Sequence, residues 1–341
     1  MNVREIDAPH ASDLELGFAG GDAWAEFVRA VYGYKIHRLL ASDADGTRGA
    51  LTLLEFKHPL FGHYLATAPY GSYGGFAFES ASARDALLEA ASRLTVRLGA
   101  EYVNVRALAG EASEATRPEG WVDDPIYCTY IVDLPASAEE ILKTFSPNHR
   151  NHVRKSWKKN FSVRFGRLDL LDDVYKGLSR SMHELGSPYH SKAYLRTMAE
   201  RLGEALEFAV LYDAQKKICG SGVFITQGET VSNLHANILK GARSDYAGEF
   251  LYWSVIERGI EKKLKAFDLG RSLIGSGNET FKMKWSPRKL PLAYWYWLAP
   301  NHSLPSVNQH NPKFRLAVAV WKKLPAFIVN TFGHYLIRGL A

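Results

Sequence analysis

Residues 206 to 270 read LEFAVLYDAQKKICGSGVFITQGETVSNLHANILKGARSDYAGEFLYWSVIERGIEKKLKAFDLG, and this stretch decides the fold class. LEFAVLYD reads as a strand, KICGSGVFIT as a second one after a turn at Gln215, Lys216 and Lys217, and the alternation of ETVSNLHANIL as a third. GEFLYWSVIERGIEKKL then changes to a helical pattern, and AFDLG returns to a strand with Asp268 at its C-terminal end. Strands alternating with helices predict an α/β fold. Open sheets of that class take their ligands outside the carboxyl ends of the strands, so Asp268 is a candidate site residue.

Upstream, the pattern predicts a helix over 147–159, a strand in FSVRFGRL, a helical stretch over 172–185 and a helix over 191–202. Nearer the start, AWAEFVRAV (23–31) has helical spacing and LTLLEF (51–56) reads as a buried strand. SARDALLEAASRLTVRLG reads as an amphipathic helix with Ser82 as N-cap and Gly99 as its stop, and YVNVRAL as a strand. CTYIVDLP is a strand ended by proline, and ASAEEILKTF opens a short helix with Ser137 and Glu140 in capping-box spacing. The two rounds are similar in order. A chain of 341 residues exceeds what one core usually holds, so two domains are expected, over 1–140 and 141–300, with a basic amphipathic tail over 301–341.

Hydrophobic residues make up 46% of the chain and charged residues 23%, which excludes a largely disordered or collagen-like protein. Cys128 and Cys219 are the only cysteines, so neither a disulfide scaffold nor a paired-cysteine zinc site is available. A reducing, cytoplasmic compartment is expected, with no export signal at the N-terminus and no apolar tract of spanning length. Residues 1–140 carry 11 Lys and Arg against 21 Asp and Glu, whereas the remainder carries 31 against 15. Anionic partners are therefore expected of the later part.

The stretch SPNHRNHVRKSWKKNFSVRFGR concentrates that charge, with no acid between Lys143 and Arg167. Ser146 as N-cap and Pro147 at the first position would start a helix on which Arg150, Arg154 and Lys158 share a face, with Lys155 beside them. Stacked like charges suit a phosphate or other polyanion, although a solvated face is the plainer reading. In AFDLGRSLIGSGNETFKMKW the glycines lack the Lys-Ser/Thr of a P-loop, which excludes that nucleotide site. What remains is a flexible loop with Asp268, Arg271, Ser272 and Ser276, followed by Lys282 and Lys284, suited to holding an oxyanion or phosphate. The loop PYGSYGG (69–75) offers backbone that a ligand can approach at Gly74 and a hydroxyl at Tyr73. No HExxH spacing or GxSxG elbow occurs, and His149 with His152 sits in the basic helix, where a divalent cation is repelled. No metal is expected, and His183 and His235 read as structural or surface residues.

PYGSYGG, FSPNHRNHVRKSWKKNF and FDLGRSLIGSGNETFKMKW followed by PLAYWYW, in that order, resemble the FemAB-like members of the GNAT superfamily. The likeness runs from about Trp24 to the end and is greatest to the branch associated with exopolysaccharide and exosortase (PEP-CTERM) gene systems. It implies tandem GNAT-like acyltransferase domains, with mixed sheets flanked by helices, a cleft between the domains, and amide-forming transfer of an acyl or aminoacyl group to an amine. Fem relatives use aminoacyl-tRNA on peptidoglycan precursors. By the resemblance, Arg150 to Lys159 match the basic segment, Asp268 to Ser272 the strand-end motif, and Phe281-Lys282 the Phe-Lys motif near the transfer centre. Lys282 is then expected to stabilise the tetrahedral oxyanion and Asp268 to take the amine's proton, unless the substrate assists.

Ordinary acetyl-CoA enzymes of the superfamily hold pyrophosphate on an Arg/Gln-x-x-Gly-x-Gly/Ala turn, and here that stretch reads ARSDYAGEFLYW. The donor is accordingly left between acyl-CoA and aminoacyl-tRNA. The expected acceptor is an amino sugar or peptide amine of a cell-envelope or exopolysaccharide precursor, which a lipid-linked form would place at the membrane. The competing reading is a non-catalytic module that binds a polyanionic glycan or nucleic acid; DNA is not expected. From Thr280 to Ala341 there are nine Lys and Arg and no acid. Pro325 should divide the tail into two short helices, and its aromatic and basic content suits attachment to an anionic inner-membrane surface. The plainer alternative is that its apolar residues cap the second domain's core.

Overall fold

The computed structural model describes residues 1–9, 14–108, 117–305 and 312–340, in two compact units. The first comprises the described residues of 1–128, 290–306 and 338–341. Its elements are β1 (Asn2–Ile6), α1 (Asp22–Tyr32), β2 (Lys35–Asp43), β3 (Gly46–His58), β4 (Gly62–Ala66), β5 (Phe76–Phe78), α2 (Ala81–Leu98), β6 (Tyr102–Leu108) and β7 (Trp121–Asp123). The second comprises the described residues of 129–289 and 307–337. It holds β8 (Tyr127–Asp133, from Thr129 on), α3 (Ala138–Thr144), α4 (Pro147–Trp157), β9 (Ser162–Gly166), α5 (Leu171–Leu185), α6 (Lys192–Leu202), β10 (Leu206–Tyr212), β11 (Ile218–Gln227) and β12 (Thr230–Ile238). It continues with α7 (Ala247–Glu261), β13 (Ala266–Asp268), β14 (Ser272–Leu273) and α8 (Gly277–Met283). Strand β15 (Arg288–Leu298) follows, and α9 (Pro312–Trp321) and α10 (Ala326–Ile337) form the tail.

In the first unit the strands run in the order β1-β2-β3-β4-β6-β15, with β4 and β6 parallel and the other neighbours antiparallel. One face of α2, with Leu87, Leu88, Ala91 and Leu94, closes a core against Leu51, Leu53, Val103, Val105 and Trp295. The helix begins two residues earlier than the sequence suggests. Ser80, not Ser82, is the N-cap: it is extended at φ −151° and its side chain accepts from the Ala83 N–H. Gly99 ends the helix as expected, in the left-handed region at φ 64°.

In the second unit the order is β8-β13-β12-β11-β10-β9, with β12 and β13 parallel. Helix α5 packs on β10, β11 and β12, while α7 packs on β11, β12 and β13 and also against α4. The core has Val174 and Leu178 of α5, Leu195 and Met198 of α6, Phe208 and Val210 of β10, and Leu251 and Ile256 of α7. Register shifts between Val223 and Phe224, so β12 carries a bulge at Leu234 between Asn233 and His235.

The compact units differ from the continuous segments 1–140 and 141–300. The reason is strand pairing: β15 runs antiparallel to β6, from Leu292 opposite Leu108 to Leu298 opposite Tyr102, and buries Ala293, Tyr294 and Trp295 in the first unit. The tail is not a separate body either. Its residues 312–337 group with the second unit, where Val329 and Gly333 of α10 are buried, whereas 301–305 and 338–340 group with the first. Pro325 does divide it into two helices. Residues 306–311 and the side chains of 312–316, with Lys313, Phe314 and Arg315 of the basic tail, lie outside the described set. No helix among the described residues is long and apolar enough to cross a membrane.

Candidate active site

Strand β13 ends at Asp268, and the turn after it is built by that side chain. Asp268 Oδ1 accepts from Thr129 Oγ1 at 2.5 Å and from the Gly270 N–H at 2.8 Å. Gly270 adopts φ +77°, and a Cβ there would stand 2.6 Å from the Asn233 carbonyl oxygen, so only glycine fits. The turn aims the Gly270 and Arg271 carbonyls at Lys282, whose Nζ donates to them at 2.7 and 2.8 Å. The expected flexible loop is in fact tied down. Ser276 caps α8 by accepting from the Glu279 N–H, and Glu279 in turn accepts from Tyr130 Oη at 2.9 Å and Lys289 Nζ at 2.7 Å. Ser272 is buried and accepts from Asn278 Nδ2 at 3.0 Å.

Lys282 is 3% exposed. Burial lowers its pKa to about 7, with the Arg271 charge adding to the shift and the Asp268 charge opposing it. Two N–H bonds are occupied by carbonyls. The remaining position on the tetrahedral nitrogen is an N–H in the ammonium form and a lone pair in the amine form. Near neutral pH both forms are populated, which a fixed cation would not allow. Asp268, the expected proton acceptor, is buried and engaged by two donors, so it serves as the former of the turn that holds Lys282.

Sequence reasoning missed the polar side chains on the adjoining strand. Asn233 of β12 donates to the Leu269 carbonyl at 3.2 Å and to Tyr252 Oη at 2.9 Å, while its own Oδ1 is buried without a hydrogen bond. His235, past the bulge, has its Nε2 buried and unbonded. Burial lowers its pKa to about 4, with the nearby Arg271 charge contributing, so the imidazole is neutral at physiological pH. Its ring lies 5.7 Å from Tyr189 and 6.0 Å from His190, centroid to centroid. Tyr189 Oη is also buried without a hydrogen bond. These residues come from β12 and the α5–α6 connection. The available signal was the spacing Asn233, His235, Asn237 along one strand.

The basic helix forms as expected, with Ser146 accepting from the His149 N–H and Pro147 in the first turn. Its cations are not equivalent. Arg150 is half-buried and donates back to the Phe145 carbonyl at 3.2 Å, and Lys159 pairs with Asp245 at 2.5 Å. Arg154, Lys155 and Lys158 are exposed and have no acidic partner among the described residues, with Lys155 5.8 Å from the Tyr246 ring centroid. On the buried side, His149 and His152 meet Glu249 of α7, with donor atoms within 4.8 Å of one another. His149 is 2% exposed, and neither of its ring nitrogens has a hydrogen bond. Lys284 already stands 3.9 Å from the Glu249 carboxylate.

Tyr73 and Gly74 belong to the first unit. Gly74 donates to the Arg106 carbonyl at 3.1 Å, and a Cβ on it would stand 2.8 Å from the Leu16 carbonyl oxygen. The close backbone approach that this loop permits is taken up by the chain's own residues 16–20.

Residues 147–283 match the family described as the acetyltransferase (GNAT) domain. Among solved structures, FemX superposes with a TM-score of 0.65 at 12% identity, over 87% of this chain and 97% of that one. A tandem GNAT protein from the clavulanic acid biosynthesis pathway gives 0.54 at 11% identity, over 89% and 100%. L-PGS from Bacillus licheniformis gives 0.51 at 15%, over 84% and 90%. No curated protein matches the sequence. At these identities the solved structures show the shared fold.

Proposed function

We propose, on the premise that residues 147–283 are a GNAT acetyltransferase domain in an acyltransferase of FemAB-like fold, that the protein forms an amide on an envelope-precursor amine and that Lys282 moves the proton. The acceptor is an amino sugar or peptide amine of a cell-envelope or exopolysaccharide precursor. The amine attacks the acyl carbonyl, the C–N bond forms, and the C–S bond of a thioester or the C–O bond of an aminoacyl ester breaks. One proton must leave the nitrogen and one must reach the departing sulfur or oxygen. Lys282, with its pKa lowered to about 7 and two N–H bonds anchored on the Gly270 and Arg271 carbonyls, is poised for both transfers. This buried lysine of α8, anchored on the turn that follows β13, is the observation that carries the reading. Asp268 and Ser272 support it by fixing the turn and α8.

For the donor, the first turn of α7 holds the buried Glu249, a carboxylate where a pyrophosphate would need positive ends of backbone dipoles. This favours a donor whose phosphates are met by Arg154 and Lys155 over one seated on that helix end; aminoacyl-tRNA and acyl-CoA both remain chemically suited.

Mass spectrometry of envelope precursors from cells with and without the protein tests the reading. One precursor should lack an acyl or aminoacyl mass when the protein is absent or carries Lys282→Ala. An unchanged acylation pattern would instead support a non-catalytic module that binds polyanions through the α4 cations.

A further inference from the structure

Helix α10 has an apolar inner face and an outer face rich in aromatic residues. Val329 and Gly333 are buried on the inner face, and a Cβ on Gly333 would stand 3.3 Å from the Tyr189 carbonyl oxygen, so the helix is seated on the α5–α6 connection. The preceding helix is seated there too, since a Cβ on Gly186 would meet Val318 at 2.7 Å and Lys322 at 2.8 Å. At about 100° per residue, Phe327, Ile328, Phe332 and Tyr335 fall, with the exposed Thr331 among them, within an arc of roughly 140° on the side away from Val329 and Gly333. Phe327 is 71% exposed, Phe332 55% and Tyr335 51%. Val320 is exposed at the end of α9, and Lys322 and Lys323 are exposed in the connection between the two helices.

Core packing accounts for the inner face and leaves the outer one unexplained. A soluble helix ordinarily presents polar residues outward, and three aromatics side by side mark a surface that is covered in use. Charge chooses the occupant. With five Lys and Arg and no acid from Pro312 to the end, the segment is complementary to an anionic surface. A convex single helix with an aromatic arc and adjoining lysines matches the interface of a bilayer, where rings insert at headgroup depth and ammonium groups meet phosphates. We propose that α10 is an interfacial anchor that seats the protein on a bilayer containing anionic phospholipid.

The anchor rests on the α5–α6 connection, which carries Tyr189 and His190 beside His235. On the transferase reading, attachment would hold the polar cluster of the second unit close to the bilayer, and the acceptor amine would belong to a lipid-linked precursor. Attachment itself does not depend on that reading.

The test is co-sedimentation of the full-length protein with phosphatidylcholine vesicles and with vesicles in which part of the lipid is phosphatidylglycerol. The protein should pellet with the anionic vesicles, remain in solution with the neutral ones, and be released by high salt. Phe327→Ser/Phe332→Ser and Lys322→Glu/Lys323→Glu should each reduce partitioning by roughly tenfold or more. Their thermal midpoints should stay near that of the unaltered protein, because all four side chains are exposed. The inference is overturned if the unaltered protein stays in the supernatant with anionic vesicles, or if both double variants sediment as it does. Retained vesicle binding with no transfer activity would count against the transferase reading and leave the anchor intact.

Discussion

Lys282 concentrates the chemistry of the second unit in one side chain, and its environment assigns a direction to the pH dependence. An amine accepts a proton only when neutral, and burial has brought its pKa down to about 7. If Lys282 is the acceptor, kcat/KM rises with pH, with a midpoint near 7, and levels above it. Lys282→Arg keeps the charge and removes the titration, so the rising limb should vanish together with most of the turnover. Lys282→Ala should cost about 2.7 to 4 kcal/mol of transition-state stabilisation, the range for one oxyanion donor, or a comparable 10²–10⁴-fold for a proton acceptor. A falling limb through pH 7 would restore the role expected from the sequence, a cation acting on the oxyanion. His235 is a second neutral nitrogen nearby, with its pKa lowered to about 4, and a variant there should leave the limb near 7 in place.

At the scale of elements, α4 shows why a run of cations is not one functional unit. Helix geometry places Arg150 and Arg154 on the same face, yet Arg150 folds back on the Phe145 carbonyl while Arg154 and Lys155 face solvent. Arg150→Ala is therefore expected to lower stability by about 0.5–1.5 kcal/mol, seen as a lower thermal midpoint, with little change in donor binding. Arg154→Ala and Lys155→Ala should weaken binding of a phosphate-bearing donor by roughly two- to fivefold each at low salt, and by less at high salt, because exposed charge contacts are screened. Fluorescence titration at two ionic strengths separates these outcomes. Salt-independent losses in the Arg154 and Lys155 variants would mean that the helix is structural. The stretch from β13 to α8 makes the converse point: a glycine-rich segment that reads as flexible is held by Asp268, Glu279 and Lys282 together.

For the whole molecule, the non-contiguous composition of the first unit is the feature with consequences. A fragment of residues 1–128 lacks β15, which supplies the partner of β6 and the buried Trp295. Expressed alone, it should be insoluble or should lack a cooperative thermal transition, because an unpaired apolar strand edge is an aggregation site; a soluble fragment that melts cooperatively would show β15 to be dispensable. Sequence by itself determined the alternation of strands and helices, the caps at Ser137, Ser146 and Gly99, the break at Pro325 and the strand end at Asp268. Each depends on backbone sterics and hydrogen bonds reaching only a few residues along the chain. It also supplied Lys282, through the resemblance of its Phe-Lys motif. Tertiary structure alone decided that β15 joins the first unit, which cations of α4 remain exposed, that Glu249 meets His149 and His152, and that Asn233 and His235 lie beside the turn at Gly270. It also decided the proton affinity of Lys282, since solvent exclusion and the charges of Asp268 and Arg271 act across space, between residues that the sequence keeps apart.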